Sequence, residues 1–189
     1  MSISSNKMIQ QWFILIIFVW NFSSNMAIIT VDFDEDIREC GNGMPIPDVD
    51  LSQFSILPQD DGTMVVNGTV KIINGFGNPT RWNMYSKRQE QGKWNPGIIS
   101  RDIPNFCAVL QLQTESWYQF TKHLKQGHCP IKAGYSESFD NLNIGNVASA
   151  FEIPAAFIGD WRIYNEITTF RNGRLEKECY MVPATIAEV

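Results

Sequence analysis

The chain has little of what most enzymes and nucleic-acid binders are built from. Its 189 residues contain two histidines, His123 and His128, and four cysteines, none of them in a CxxC pair. A zinc site of the usual Cys and His spacing is therefore excluded, and no metal or cofactor is expected. There is no GxSxG; Gly134-Tyr135-Ser136-Glu137-Ser138 misses it at the last glycine. Neither histidine has a serine and an acid in a recognisable arrangement. Paired carboxylates for glycoside hydrolysis need only closeness in space, so a secreted hydrolase stays as the weakest alternative to a protein that is not an enzyme. No basic cluster longer than Lys122 to Lys125 occurs, which excludes nucleic acid as the partner.

A long apolar run is missing too. Trp12 to Trp20 is apolar for nine residues, and Asn21 to Ala27 is small and mostly polar. A bilayer-spanning helix needs about twenty apolar residues. Residues 1–27 therefore read as a secretory signal peptide, cleaved between Ser23 and Ala27. Residues 28–189 are expected to be secreted and extracellular, a single domain with no transmembrane segment after cleavage. Lys7 is the one charge in the leader, so the remainder has 14 basic and 20 acidic residues, a net charge of −6.

In an oxidising compartment an even number of well-separated cysteines reads as disulfides. Of the three possible pairings, Cys107 with Cys129 and Cys40 with Cys179 are favoured, the first clamping a local segment and the second tying the two ends of the domain. Asn67-Gly68-Thr69 is an intact glycosylation sequon, whereas Asn78-Pro79-Thr80 is blocked by its proline.

Period-two alternation and turn residues predict about eight strands. The seven clearest cover 28–33, 51–57, 63–74, 80–88, 135–142, 160–170 and 175–183, and Asn172-Gly173 marks the clearest hairpin. The 63–74 stretch reads either as a hairpin at Asn67-Gly68 or, preferred, as one long strand bulged there, with the turn at Asp61-Gly62. Residues 92–104, with Asn95-Pro96-Gly97, read as loop. From Asn105 the apolar spacing becomes helical, predicting one helical segment ended by Gly127. Closing Cys107 onto Cys129 requires that helix to be broken, since 22 residues of straight helix span about 33 Å; otherwise the pairing is wrong. The fold expected is mainly β, a β-sandwich or β-cup. Whether its many aromatic and methionine side chains fill the core or line an apolar cavity between the sheets is not decided by composition.

In order along the chain, Trp82 and Tyr85, Trp94-Asn95-Pro96, Pro104-Asn105-Phe106-Cys107, Trp117-Tyr118, Cys129-Pro130-x-Lys132-Ala133-Gly134 and Gly159-Asp160-Trp161-Arg162 precede a final cysteine. This series resembles the insect CheA and CheB chemosensory proteins, over about Val31 to Cys179. The resemblance implies a fold similar to the ganglioside activator and the ML-domain lipid-recognition proteins, a β-cup that holds a hydrophobe. It also implies a role in taste or pheromone perception, with a hydrophobic small-molecule ligand and a receptor or sensory-neuron surface as partners. First-with-last pairing, Cys40 with Cys179, is the disulfide it carries over most directly. The candidate lining residues are Trp82, Tyr85, Trp117, Phe151, Ile153, Phe157, Ile158 and Trp161, the last five in or beside an apolar 144–158 segment expected at the rim. The alternative is an extracellular interaction module with a filled core.

Protein secreted from insect cells is expected to lose one glycan on glycosidase treatment, seen as a gel-mobility shift that Asn67→Gln abolishes.

Overall fold

Strand-forming residues and tight turns organise the chain into two antiparallel sheets, seen in a computed structural model that describes residues 28–33 and 37–189. The signal-peptide expectation for 1–27 lies outside the described residues. The larger sheet contains β1 (Ile29–Phe33), β2 (Arg38–Glu39), β5 (Thr80–Glu90), β6 (Lys93–Ile103), β8 (Gly159–Arg171) and β9 (Arg174–Glu188). Its strand order is β1-β9-β8-β5-β6, with β2 also paired to β9. The smaller sheet is β3 (Val49–Pro58), β4 (Met64–Ile72) and β7 (Tyr135–Gly145), in the order β3-β4-β7. The protein is thus the expected mainly-β sandwich, with nine strands rather than about eight.

Three hairpins set the registers. Between β3 and β4, Asp61 Oδ1 accepts from the Thr63 N–H at 2.9 Å and the Gly62 N–H donates to the Gln59 carbonyl at 2.9 Å. Asn172-Gly173 joins β8 to β9 with φ of 49° and 76°, the type I′ signature that matches the twist of the flanking strands. Gln91-Gly92 does the same between β5 and β6, with φ of 51° and 76°. This last hairpin corrects the loop reading of 92–104. Pro96 suits β6 because β6 is an edge strand, where a missing N–H costs little, and the ladder slips between Tyr85 and Lys87 opposite it. The 63–74 stretch is the long strand expected: its register slips between Val66 and Gly68. A Cβ on Gly68 would lie 1.6 Å from the Gln53 carbonyl oxygen, so only glycine allows β3 to pass.

The single helix expected after Asn105 is two isolated turns, α1 (Phe106–Val109) and α2 (Tyr118–Thr121), joined by tight turns. Tertiary packing overrides the helical spacing here, and the break brings the Cys107 and Cys129 α-carbons to 5.7 Å in a disulfide. Cys40–Cys179 is the second bridge, with α-carbons 5.9 Å apart. Both pairs are bonded as expected, which fits an extracellular compartment. No helix among the described residues is long and apolar enough to cross a membrane.

Val31, Met64, Ala148, Trp161, Ala184 and Ile186 form the buried cluster where the two sheets meet. Ala148 lies in α3 (Val147–Ala150), so the 144–158 segment supplies part of this junction.

On β7, Glu137 is buried and accepts from the Lys125 N–H at 2.7 Å and from the Tyr135 hydroxyl, with Lys125 Nζ at 3.1 Å. These contacts fasten 122–126 to the smaller sheet. Burial pushes the Glu137 carboxyl up, but the hydrogen bonds from Tyr135 and Lys125 and the lysine charge outweigh it, holding the group below its ordinary value. A lowered folded value contributes stability above the ordinary carboxylate range, and this is lost as pH falls through the folded value. Denaturation followed from neutral pH down to about pH 3 is expected to show that acid limb. Glu137→Gln should flatten the limb and cost about 1–3 kcal/mol at neutral pH.

Candidate functional site

Register identifies which side chains share the interior. Trp161 pairs with Ala184, Ile163 with Val182, Asn165 with Met84, and Ile167 with Trp82. Cross-strand partners lie on one face, so these residues share the face that meets Met64 and Ile56 of the smaller sheet in the buried cluster. It is the inner face of the larger sheet.

At one end of this face stands an aromatic triad. The Trp82 and Phe106 ring centres are 5.3 Å apart, Trp82 and Trp117 5.4 Å, and Phe106 and Trp117 5.6 Å. The broken 106–121 segment lowers Phe106 and Trp117 onto β5. Trp82 Nε1 donates to Asn165 Oδ1 at 3.0 Å, and Trp117 Nε1 to the Val109 carbonyl at 3.3 Å. The Arg101 guanidinium lies 4.9 Å from the Trp117 ring and pairs with Glu115 at 2.5 Å. The indole N–H groups are thereby satisfied, leaving ring faces for apolar contact.

Trp161 dominates the other end, 2% exposed. Its Nε1 donates to the Phe157 carbonyl at 2.7 Å, and the Phe157 ring centre is 5.6 Å away. Ile153 and Phe157 pack against the buried cluster from the 144–158 segment. Two polar anchors hold that segment: Asn146 Nδ2 donates to the Ile29 carbonyl at 2.9 Å, and Arg88 Nη2 to the Ile158 carbonyl at 2.8 Å.

Between these aromatic groups lie Met84, Ile163, Ile167 and Val182. They sit on β5, β8 and β9, strands paired on both sides, yet all four are only half-buried. In a filled sandwich such central inner-face positions are close-packed. These four are not among the sequence candidates, although Met84 follows Trp82 at a spacing of two and Ile163 and Ile167 alternate with Trp161. Sequence parity carries that signal, but the pairing of β5 with β8 does not show in it.

Of the eight candidates, Trp82 and Trp117 are brought together in the triad, and Ile153, Phe157 and Trp161 at the sheet junction. Tyr85 is a correction. Three residues from Trp82 on a strand, it points out of the opposite face, stacked on Tyr164 with ring centres 4.9 Å apart. Phe151 and Ile158 are 41% and 37% exposed and lie on the outer side of the segment that Ile153 and Phe157 bury. Two surface hollows, of about 340 and 220 Å³, include none of the eight. Among the described residues no group of three or more His, Cys, Asp or Glu is placed to hold a metal. Asn67 is half-buried on β4, its Oδ1 accepting from the Asn141 N–H at 2.6 Å.

Comparison with protein-family models and with curated proteins found no match.

Gly97 on β6 makes room for the Trp161 end. A Cβ there would fall 2.4 Å from Ser86 Oγ and 2.7 Å from Trp161 Cζ3. Gly97→Ala is expected to destabilise by about 1–3 kcal/mol through overpacking, with a shifted Trp emission maximum as the indole is displaced. Chemical denaturation followed by fluorescence measures both.

Proposed function

We propose that the protein is a secreted, non-enzymatic carrier of a hydrophobic small molecule, a lipid or pheromone-like cue, serving insect chemosensation. The cargo lies against the inner face of the larger sheet, between the Trp82 and Trp161 aromatic groups. The half-burial of Met84, Ile163, Ile167 and Val182 at the centre of that face carries this reading. Apolar surface left open inside a sandwich is what a cargo of like polarity would cover, with each buried CH₂ contributing about 0.8 kcal/mol. Paired indole N–H groups at the edges suit an apolar guest better than a polar one, and the motif order shared with the CheA and CheB proteins supports the chemosensory setting.

A second reading, an interaction module meeting a receptor or sensory-neuron surface, is favoured by the outer face of the same sheet. There the Arg162 guanidinium lies 4.1 Å from the Trp94 ring, Lys87 Nζ lies 5.3 Å from the Tyr164 ring, and Tyr85 stacks on Tyr164.

Native mass spectrometry of protein secreted from insect cells is expected to show a retained lipid, and an apolar fluorophore to bind the delipidated chain. Val182→Phe separates the readings. In an open space the phenyl ring replaces cargo, cutting fluorophore affinity about tenfold or more with melting temperature held. In a filled core it costs about 1–3 kcal/mol instead. Failure to retain lipid together with failure to take up fluorophore overturns the carrier.

A further inference from the structure

By register the inner face of the larger sheet carries the hydroxyls of Thr80, Ser86, Thr169 and Tyr180, on β5, β8 and β9. The protein itself accounts for the first three. Thr80 Oγ1 donates to the Gly77 carbonyl and lies 3.2 Å from Thr169 Oγ1. Ser86 Oγ has no hydrogen-bond partner among the described residues, but Ser86 is 3% exposed and packed against Gly97, out of reach of any guest. Tyr180 differs from all of these.

Tyr180 pairs with Asn165, and Asn165 with Met84, so the three stand in one row across the sheet, with Val182 next along β9 on the same face. Asn165 does not engage the phenol: its Oδ1 accepts from Trp82 Nε1 at 3.0 Å and its Nδ2 donates to the Ile163 carbonyl at 3.3 Å. The Tyr180 hydroxyl has no hydrogen-bond partner among the described residues. Burial alone, with no charge or hydrogen bond contributing, pushes it up to about 12. Yet the residue is only half-buried. A side chain that keeps open surface while removed from bulk water borders an interior space, and Met84, Ile163, Ile167 and Val182 border the same one. An unpaired hydroxyl there costs free energy that a guest with an acceptor atom recovers. The guanidinium groups sharing this face by register are taken: Arg88 by the Ile158 carbonyl, Arg101 by Glu115, Arg171 by Glu178. A charged head group would be buried without a partner, and an alcohol would bring a donor of its own to satisfy. A carbonyl oxygen accepts and asks for nothing further.

We infer that the cargo of the inter-sheet site is a neutral long-chain carbonyl compound, an ester, ketone or aldehyde, whose oxygen accepts a hydrogen bond from the Tyr180 hydroxyl while its chain lies over Met84, Ile163 and Val182 toward Trp161. The inference rests on the carrier reading and adds to it the one polar contact that selects among hydrophobes. From the Tyr180 row to the Trp161 row is four residues of strand, about 13 Å, room for the chain beyond the carbonyl.

The test is displacement of an apolar fluorophore from the delipidated secreted protein by methyl palmitate, palmitate and hexadecane, in the wild type and in Tyr180→Phe. The variant is expected to weaken methyl palmitate about three- to tenfold and to leave hexadecane unchanged, with palmitate bound less tightly than its methyl ester by the wild type. Melting temperature of the empty variant should be held, because the hydroxyl has no partner to lose. Infrared spectra with carbonyl-¹³C methyl palmitate give a second readout: the bound carbonyl stretch lies at lower frequency in the wild type than in Tyr180→Phe. Equal ester affinity in the two proteins, equal carbonyl frequencies, palmitate bound as tightly as the ester, or a lowered melting temperature in the variant overturns the inference. If hexadecane still binds in any of those cases, the carrier stands and only its carbonyl preference falls. If none of the three displaces the fluorophore, the carrier falls and the inference with it.

Discussion

The burial of Trp161 is the constraint on which the rest of the architecture depends. Its indole fills the junction between the two sheets, and its neighbourhood is arranged to admit it: a glycine at 97, an alanine at 148 in α3, a carbonyl from Phe157 for its N–H, and Arg88 5.4 Å from its ring. Burying a side chain of this size contributes several kilocalories per mole, more than any exposed ion pair in the protein could. With the sheets joined by this cluster, the central inner-face residues further along β8 and β9 remain half-open.

Some of this arrangement is legible in the sequence. Asn172-Gly173 between two alternating runs has one common geometry, and the chain adopts it. The bulge at Gly68 is legible because too few residues precede Asn67 for a separate strand. The second hairpin is hidden because Gln91 takes a left-handed conformation usually left to Asn, Asp or Gly, and because Pro96-Gly97 looks like a loop unless the strand is known to be at an edge. The helical spacing after Asn105 is real but too weak to resist the aromatic triad and the Cys107–Cys129 bridge, which bend the segment into two turns.

The candidate site is legible by residue type and illegible by side. Apolar area singles out the large aromatics, and five of the eight candidates lie on the interior. Tyr85 qualifies on the same ground but has the wrong parity relative to Trp82, and parity becomes position only when β5 is paired with β8. Phe151 and Ile158 show the complementary error: in a segment of turns no period of two or 3.6 tells which side chains are turned inward.

The two sheets also differ in what they present outward. The smaller sheet carries the sequon on β4, with Ser136, Ser138 and Asp140 of β7 exposed to solvent, while the larger carries the half-buried Trp94–Arg162 pair and Tyr85, stacked on the buried Tyr164. A glycan at Asn67 would sweep a volume comparable to a small domain over the first surface and leave the second bare. Were Asn67 glycosylated, the two faces would differ in kind: one kept apart from neighbours by sugar, the other left as the side by which the molecule can be approached.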